Sequence, residues 1–579
     1  MSYISFESRY DRMPVTEIEG HDGSACKGWK AISEAVRKLS ETEELLLVDC
    51  YPGVHDDEIL DNIEKAFAPE VTIKMEDIFI DGEEITEKIK DTLTDDRVRG
   101  RMYFGTVMDF LDRGKLADAR KWVRFYEGKI LVYGFGASLL SDRGTVIYAD
   151  MTRWEIQLRY RDGMPNYLQK NYNEDILRKY KRGYFFEWRI ADRHKAGVLD
   201  RIDYYLDTNR KDDPSMVTGE AFRKGLQTMT ERPFRLVPYF DPGVWGGQWM
   251  KEVCHLDKDE KNFAWSFDGV PEENSIIMRF GSVDIESPAM NMTLYRPRQF
   301  IGEKNFSRFG AEFPIRLDLL DTMGGQNLSL QVHPDTEYIH RKFGMSYTQD
   351  ESYYILDAGE GAGVYLGIRT GTDSKEMIDA LEEAQKGEHG FDAEKYVNFI
   401  PAKKHDHFLI PAGTVHCSSR NCMVLEVSAT PYIFTFKLWD WDRVGLDGLP
   451  RPIHIEDGKQ VIRFDRDTEW VMDNLVNRSE PVEECENYSA VRTGLHELEF
   501  IETLVYTIRD HVDIPSDREV AVYNLVEGQA AVIESTEGWF APFEVHYAET
   551  FIVPAEAGDI RIRPEGSYDV KVLRASVRN

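Results

Sequence analysis

The sequence predicts a multidomain α/β plus mainly β protein, with an N-terminal three-layer α/β domain followed by two jelly-roll-like β-barrels. Three observations carry this reading. Apolar runs alternate with charged amphipathic stretches over about residues 1–225. Over 226–478 the texture shifts to short β-like runs separated by Gly, Pro and Asn. Over 479–579 a second β-rich stretch repeats a phrase of the first, FIVPAEAGDIRI against FLIPAGTVHCSS. At about 150 residues per domain, a chain of 579 residues suits three or four such parts.

In the first part EELLLVDC, VTIKMEDIFI, GKILVYGFGA and GTVIYADM read as short buried strands. DDEILDNIEKAF, EITEKIKDTL and GTVMDFLDRGKLADARKWV read as helices between them. Strands alternating with helices argue for a parallel sheet covered on both faces. In the second part FRLVPYFDPGVWGG, FPIRLDLLDTMGGQNLSLQVHPD, ESYYILDAGEGAGVYLG, HDHFLIPAGTVH and NCMVLEVSATPYIFTFKLWD are β-like, interrupted by one helical segment, DSKEMIDALEEAQKG. Many short strands with turn signals argue for a barrel or sandwich. The third part lacks a histidine where His416 sits in the second, so it is expected to bind no metal.

Composition excludes some functions. The 28 Tyr, 30 Phe and 11 Trp suit packed globular structure rather than disorder. A formal charge of −32, with no basic tract, argues against nucleic acid and anionic membranes as partners. An anionic substrate would then need local cations. The six cysteines are scattered without a CxxC, which suits reduced thiols. No apolar signal core or membrane-length run stands out, so a soluble cytoplasmic protein is expected.

One constellation carries chemistry. In LSLQVHPD (328–335), strand alternation points Ser329, Gln331 and His333 to one side. Glu351 opens the strand-like ESYYIL with no basic neighbour to neutralise it, and His416 follows a turn punctuated by Pro411 and Gly413. Two imidazoles, a carboxylate and an amide oxygen can hold Zn²⁺ and leave room for water or substrate. A lone strand histidine is more often a satisfied core or surface residue; the shared face, the fixed turn and the unneutralised glutamate weigh against that here.

These motifs resemble those of type I phosphomannose isomerases, in the short bacterial form with two cupin barrels, over about residues 232–579. PYFDPGVWGG (238–247) looks like the family's opening segment, LSLQVHPD like its first metal strand, DESYYILD like the strand starting with the ligand Glu, and FLIPAGTVH like its second motif, although His405 stands where that motif normally has Gly. WDWDR (439–443) and LPRPIHIEDG (449–458) look like the downstream signature. The resemblance implies one Zn²⁺, or another divalent metal, held by Gln331, His333, Glu351 and His416, and interconversion of mannose 6-phosphate and fructose 6-phosphate. It assigns the substrate phosphate to Arg443 and Ser329; the alternative for Arg443 is an ion pair with Asp440 or Asp442.

Two positions depart from the family. Lys437 stands at a catalytic position usually held by Arg; it keeps the charge and loses the planar fork. Gln349 stands at a family Lys, removing a cation from the cavity. Both bear on which sugar phosphate is turned over, and the sequence does not identify the general base.

The N-terminal region weakly resembles a degenerate uridine-kinase-like P-loop fold. YPGVHDDE lies where GxxxxGK[ST] would cradle phosphates; it has one Gly, no Lys and several acids. No nucleotide-binding residues are therefore expected. YGFGAS reads as a tight turn, and Arg153, Arg159 and Arg161 as a solvated helix face rather than a phosphate lid. The leading function is a metal-dependent sugar-phosphate isomerase. The alternatives are a non-catalytic metal-containing sugar-phosphate sensor and a bifunctional enzyme with a residual kinase-like domain.

Overall fold

The computed structural model describes residues 3–386, 390–429, 434–445, 448 and 451–578. Leu449 and Pro450, which begin the LPRPIHIEDG match, and the TPYI stretch at 430–433 lie outside the described residues. The chain forms two compact units: Val15–Met229 with Ser275–Arg296, and Met1–Pro14 with Thr230–Asn274 and Pro297–Asn579.

The first unit is built on strands β1 (Leu45–Cys50), β2 (Val71–Lys74), β3 (Ile130–Gly134), β4 (Thr145–Asp150) and β5 (Tyr204–Asp207). They pair in parallel in the order β5-β4-β1-β3-β2, so the first strand is central. Ser215–Thr218 and Ala25–Lys27 extend the β5 edge antiparallel. Leu46, Leu47, Val48, Leu131, Val132 and Ile147 are buried, as continuous apolar runs in a covered parallel sheet should be. Asp56–Phe67 is a helix because Ile59, Ile63, Ala66 and Phe67 recur on one face, and it stops where Ala68 turns left-handed.

Three expectations change here. VTIKMEDIFI is a strand only over Val71–Lys74, then winds into a short 3-10 turn at Met75–Asp77. The helix expected through 105–123 is two pieces, Val107–Phe110 and Arg113–Phe125. Asp112 starts the second by accepting the Gly114 and Lys115 N–H groups, which satisfies orphan donors of a new first turn. Ser275–Arg296, inside the expected second domain, belongs to this unit. Its hairpin (Ser275–Phe280 with Val283–Pro288) pairs with Val15–Glu17 and buries Ile276, Met278 and Ile285. Gly225 on the helix Gly219–Thr230 admits that hairpin: an added Cβ would stand 2.6 Å from Met278 Sδ.

The second unit holds two β-structures. The strands of the first are β6 (Tyr239–Asp241), β7 (Trp265–Gly269), β8 (Arg316–Asp321), β9 (Leu330–Val332), β10 (Glu351–Ala358), β11 (Gly363–Ile368), β12 (Val397–Pro401), β13 (His407–Ile410), β14 (His416–Ser418), β15 (Cys422–Ser428) and β16 (Phe436–Trp439). They form a six-stranded sheet, β13-β10-β15-β8-β7-β6, and a five-stranded sheet, β12-β11-β14-β9-β16. The last hundred residues form a six-stranded and a four-stranded sheet. Their apolar side chains, among them Leu525, Ile533, Phe551 and Val572, close one core. No helix among the described residues is long and apolar enough to cross a membrane.

Candidate metal centre and anion subsite

The two sheets of the first β-structure supply the candidate ligands from opposite sides. On the five-stranded sheet, Gln331 of β9 pairs with His416 of β14 on one side and with Lys437 of β16 on the other. On the six-stranded sheet, Glu351 opens β10. His333 follows β9, and its carbonyl accepts the Gly413 N–H at 2.8 Å, so the PAGTVH turn is tied to the first metal strand. Gly413 has φ +89° and a side chain there would meet Arg463 and Val461, so this turn requires glycine. Arg466 holds the turn's Pro411 and Ala412 carbonyls at 2.7 Å.

His333, Glu351 and His416 form a buried group whose ligand atoms lie within 4.8 Å of one another, the one such group among the described residues. His416 Nε2 stands 2.8 Å from Glu351 Oε1, and His333 Nε2 stands 3.1 Å from Glu351 Oε2. Gln331 Nε2 is 3.2 Å from His416 Nε2; a half-turn of the amide presents Oε1 instead.

The hydrogen bonds fix which ring nitrogens face the centre. His333 Nδ1 donates to the Phe434 carbonyl at 2.8 Å, and His416 Nδ1 donates to the Thr414 carbonyl at 2.9 Å. Each Nε2 lone pair is thereby turned toward Glu351, the arrangement in which outer partners orient metal-binding imidazoles. His333 Nε2 and Glu351 Oε1 are buried without a hydrogen-bond partner. Lone pairs facing a carboxylate in a dry site need positive charge between them, and a divalent cation supplies it without protonating either ring. Ligand atoms on tetrahedral zinc stand about 3.3 Å apart at bonds of roughly 2.0–2.1 Å, close to the 2.8, 3.1 and 3.2 Å contacts that Glu351 and Gln331 make with the imidazoles.

Charge around the centre is uneven. Burial would raise the Glu351 carboxyl, but His333 and His416 outweigh it and hold the group below the ordinary carboxylate range. Burial would lower His333, and Glu351 reverses that and raises it. Gln349, at the family Lys position, is buried and bridging: its Oε1 accepts the Phe434 N–H at 2.6 Å and its Nε2 donates to Glu351 Oε2 at 2.9 Å.

Strand register reveals carboxyls that sequence reasoning missed. Asp318 of β8, Glu426 of β15 and Tyr353 of β10 form one cross-strand row, two residues along the strands from the row Arg316–Ser428–Glu351. Glu426 is buried; burial, then the Glu351 and Asp318 charges, push its carboxyl well above the usual range. Burial also raises Asp318, to about 6, although Arg316 Nε contacts it at 2.7 Å. The one signal was a charge within the apolar run MVLEVS.

Ser329 and Arg443 meet at Asp440. Ser329 Oγ donates to Asp440 Oδ1 at 2.7 Å, and Arg443 Nη2 contacts the same oxygen at 2.6 Å, so the ion pair weighed for Arg443 is present. Arg451, not singled out from sequence, stands 3.0 Å from Asp440 Oδ2. Lys437 is half-buried beside Gln331. His405, at a family Gly position, takes left-handed backbone (φ 72°) and links Tyr354 to Glu527, each at 2.9 Å.

In the α/β unit, the expected solvated arginine face is corrected. Arg153 and Arg159 are buried, and Arg161 alone of the three is exposed. Arg153 pairs with Asp192, and Arg159 donates to the Gly53 and Thr208 carbonyls at 2.9 and 2.6 Å. These partners lie far away in sequence, so helix spacing alone could not show them. The ends of β1 and β4 are likewise filled. Asp49 bonds Ser138 and His194, and Asp150 takes Lys195 Nζ at 2.9 Å. The helix after β1 begins with Asp56, Asp57 and Glu58, which occupy the end that would otherwise attract an anion.

Comparison with known proteins gives matches in two different parts of the chain. A family model described as Domain of unknown function (DUF8485) matches residues 28–231. Mannose-6-phosphate isomerase ManA of Bacillus subtilis is 21% identical over 345 residues, covering 59% of this chain and 96% of that protein. The mannose-6-phosphate isomerase of Streptococcus mutans is 27% identical over 224 residues, covering 38% of this chain and 64% of that protein. A crystal structure of the mannose 6-phosphate isomerase from Bacillus subtilis superposes with a TM-score of 0.48 at 17% identity, covering 60% of this chain and all of that one.

Proposed function

We propose that the chain is a zinc-dependent aldose–ketose isomerase acting on a sugar phosphate, with mannose 6-phosphate to fructose 6-phosphate as the reaction. The observation that carries this is the buried Gln331–His333–Glu351–His416 set with both imidazole Nε2 atoms turned inward. The Bacillus subtilis and Streptococcus mutans relatives support the choice of substrate.

Bound zinc would polarise the sugar carbonyl and stabilise negative charge on the enediol oxygen. Glu426 is the base this reading assigns. It would take the proton from C2 of the aldose and return it to C1, while the C2 hydroxyl proton passes to O1; burial and the Glu351 and Asp318 charges raise this carboxyl and so strengthen it as a base when ionised. Arg443 and Ser329 would hold the phosphate, and Lys437 would add positive charge beside Gln331. The α/β unit is read as a kinase-like scaffold that binds no nucleotide. Its support is the central first strand, the acids opening the helix after β1, and the ion pairs filling the strand ends.

The test is to measure metal content and follow both sugar phosphates with coupled detection. The reading predicts turnover that vanishes on chelation and returns with Zn²⁺, and its loss in His416→Ala. Stoichiometric metal with tight sugar-phosphate binding and no turnover would instead make the protein a sensor.

A further inference from the structure

The inner face of the six-stranded sheet carries a charged pair that the isomerisation scheme leaves unused. Arg316 of β8, Ser428 of β15 and Glu351 of β10 stand in one cross-strand row. Residues directly opposite in an antiparallel sheet share a face. Arg316 therefore lies on the face of the candidate ligand Glu351, two strands away, or about 9.5 Å at ordinary strand spacing. Asp318, two residues on, lies on the same face. Both side chains are buried. A guanidinium and a carboxylate that only support a fold commonly close as a fork, with two parallel hydrogen bonds. This pair closes with one arm. Arg316 Nε donates to Asp318 Oδ2 at 2.7 Å, while Arg316 Nη2 and Asp318 Oδ1 are buried without a hydrogen-bond partner. An unfilled donor and an unfilled acceptor in a dry interior are costly. The Phe267 ring, whose centroid is 4.8 Å from Arg316 Cζ, holds the guanidinium in place from β7.

We propose that Arg316 and Asp318 form a hydroxyl-recognition subsite, in which Arg316 Nη2 donates to, and Asp318 Oδ1 accepts from, the hydroxyls at C3 and C4 of the sugar. This rests on the sugar-phosphate reading above and adds to it the element that reads the sugar itself. A hydroxyl both donates and accepts, so a vicinal diol answers an open donor and an open acceptor at once. The subsite stands apart from the anion subsite. Ser329 precedes β9 and Asp440 follows β16 on the five-stranded sheet, whereas Arg316 and Asp318 belong to β8 of the six-stranded sheet. One cation balanced by one carboxylate suits neutral hydroxyls rather than a phosphate, so the pair selects among sugars that share the phosphate. A carbon chain without those hydroxyls leaves both atoms unpaired and is turned over poorly.

The experiment uses the full chain loaded with zinc. kcat/KM is measured for mannose 6-phosphate and for its 3-deoxy and 4-deoxy analogues, in the parent and in Arg316→Met, Arg316→Lys and Asp318→Asn. Calorimetry with inorganic phosphate and the zinc content serve as controls. In the parent at least one deoxy analogue should lose roughly 10- to 100-fold, the worth of a hydrogen bond to a charged group. Arg316→Met should lose a similar factor on mannose 6-phosphate and little more on that analogue, because the contact is already gone. Arg316→Lys should recover part of the loss, since it restores the charge without the fork. Phosphate affinity and zinc content should not change. An Arg316→Met loss that is equal on all three substrates overturns the proposal, because it marks a packing role. Should Arg316→Met fail to fold, Arg316→Lys and Asp318→Asn carry the same comparison. If the parent turns over mannose 6-phosphate and both deoxy analogues alike, the subsite falls and the isomerase reading stands. If the parent neither binds nor turns over mannose 6-phosphate, both fall.

Discussion

Phe434 ties two of the four candidate ligands together through its backbone. Its carbonyl fixes His333, and its N–H holds Gln349, which reaches Glu351. Gln349 is therefore part of the scaffold of the centre, whatever cation it replaces. Gln349→Ala should lower zinc affinity by roughly 10- to 100-fold, the range for losing an outer partner of a ligand; competition with a chromophoric chelator measures it, and unchanged affinity contradicts the role. Glu426→Gln should keep zinc and lower kcat by about 10²- to 10⁴-fold, the usual worth of a general base, read in the same coupled assay. At this scale the histidines were legible because strand alternation and a Pro-Gly turn constrain where they point. Glu426 and Asp318 were not, because a strand buried on both faces carries no alternation to show which side a charge takes.

Turns and helix faces divide differently. PYFDPGVWGG (238–247) was legible only through its likeness to the opening segment of phosphomannose isomerases, and the reason for Gly247 lies in β8. A Cβ on Gly247 would stand 2.0 Å from Asp321 Oδ1 and 2.6 Å from the Met323 nitrogen. Asp321 cannot yield freely, because it accepts the Met250 and Met323 N–H groups at 2.9 Å. Gly247→Ala should cost about 1–3 kcal/mol, seen as a lower melting temperature of the holoprotein. In the α/β unit, Lys195 and Asp150 are almost wholly buried and contact each other at 2.9 Å. Lys195→Met strands Asp150 and should destabilise that unit by about 3–5 kcal/mol, read by hydrogen exchange over residues 145–207, with zinc content unchanged. The sequence showed the strands and helices there, but not that charged residues fill the strand ends. Such pairing joins residues from separate segments and leaves no local period.

Across the whole molecule, several buried carboxyls make stability depend on pH in an unusual direction. Burial raises Asp207 and Asp321 to about 7. Their folded values lie above the unfolded value of about 3.9, so the folded state binds the extra proton. The associated stability is fully present below the unfolded value and is lost as pH rises through about 7. The melting temperature should therefore fall between about pH 5 and pH 7 and level off above, and Asp207→Asn should flatten the slope; a rise over that range contradicts it. Chain-level organisation was legible in outline, α/β first and β after, because texture follows the dominant element. The transfer of Ser275–Arg296 into the α/β unit was not, since a hairpin's alternation looks the same whichever sheet or strand receives it.

The measurement that most directly tests the centre is zinc K-edge X-ray absorption on the zinc-loaded full chain. Two imidazole nitrogens and oxygen ligands at about 2.0–2.2 Å, with His416→Ala losing one imidazole or the metal, are the predicted result. Sulfur scatterers at about 2.3 Å, or zinc that binds equally well without His416, would contradict it.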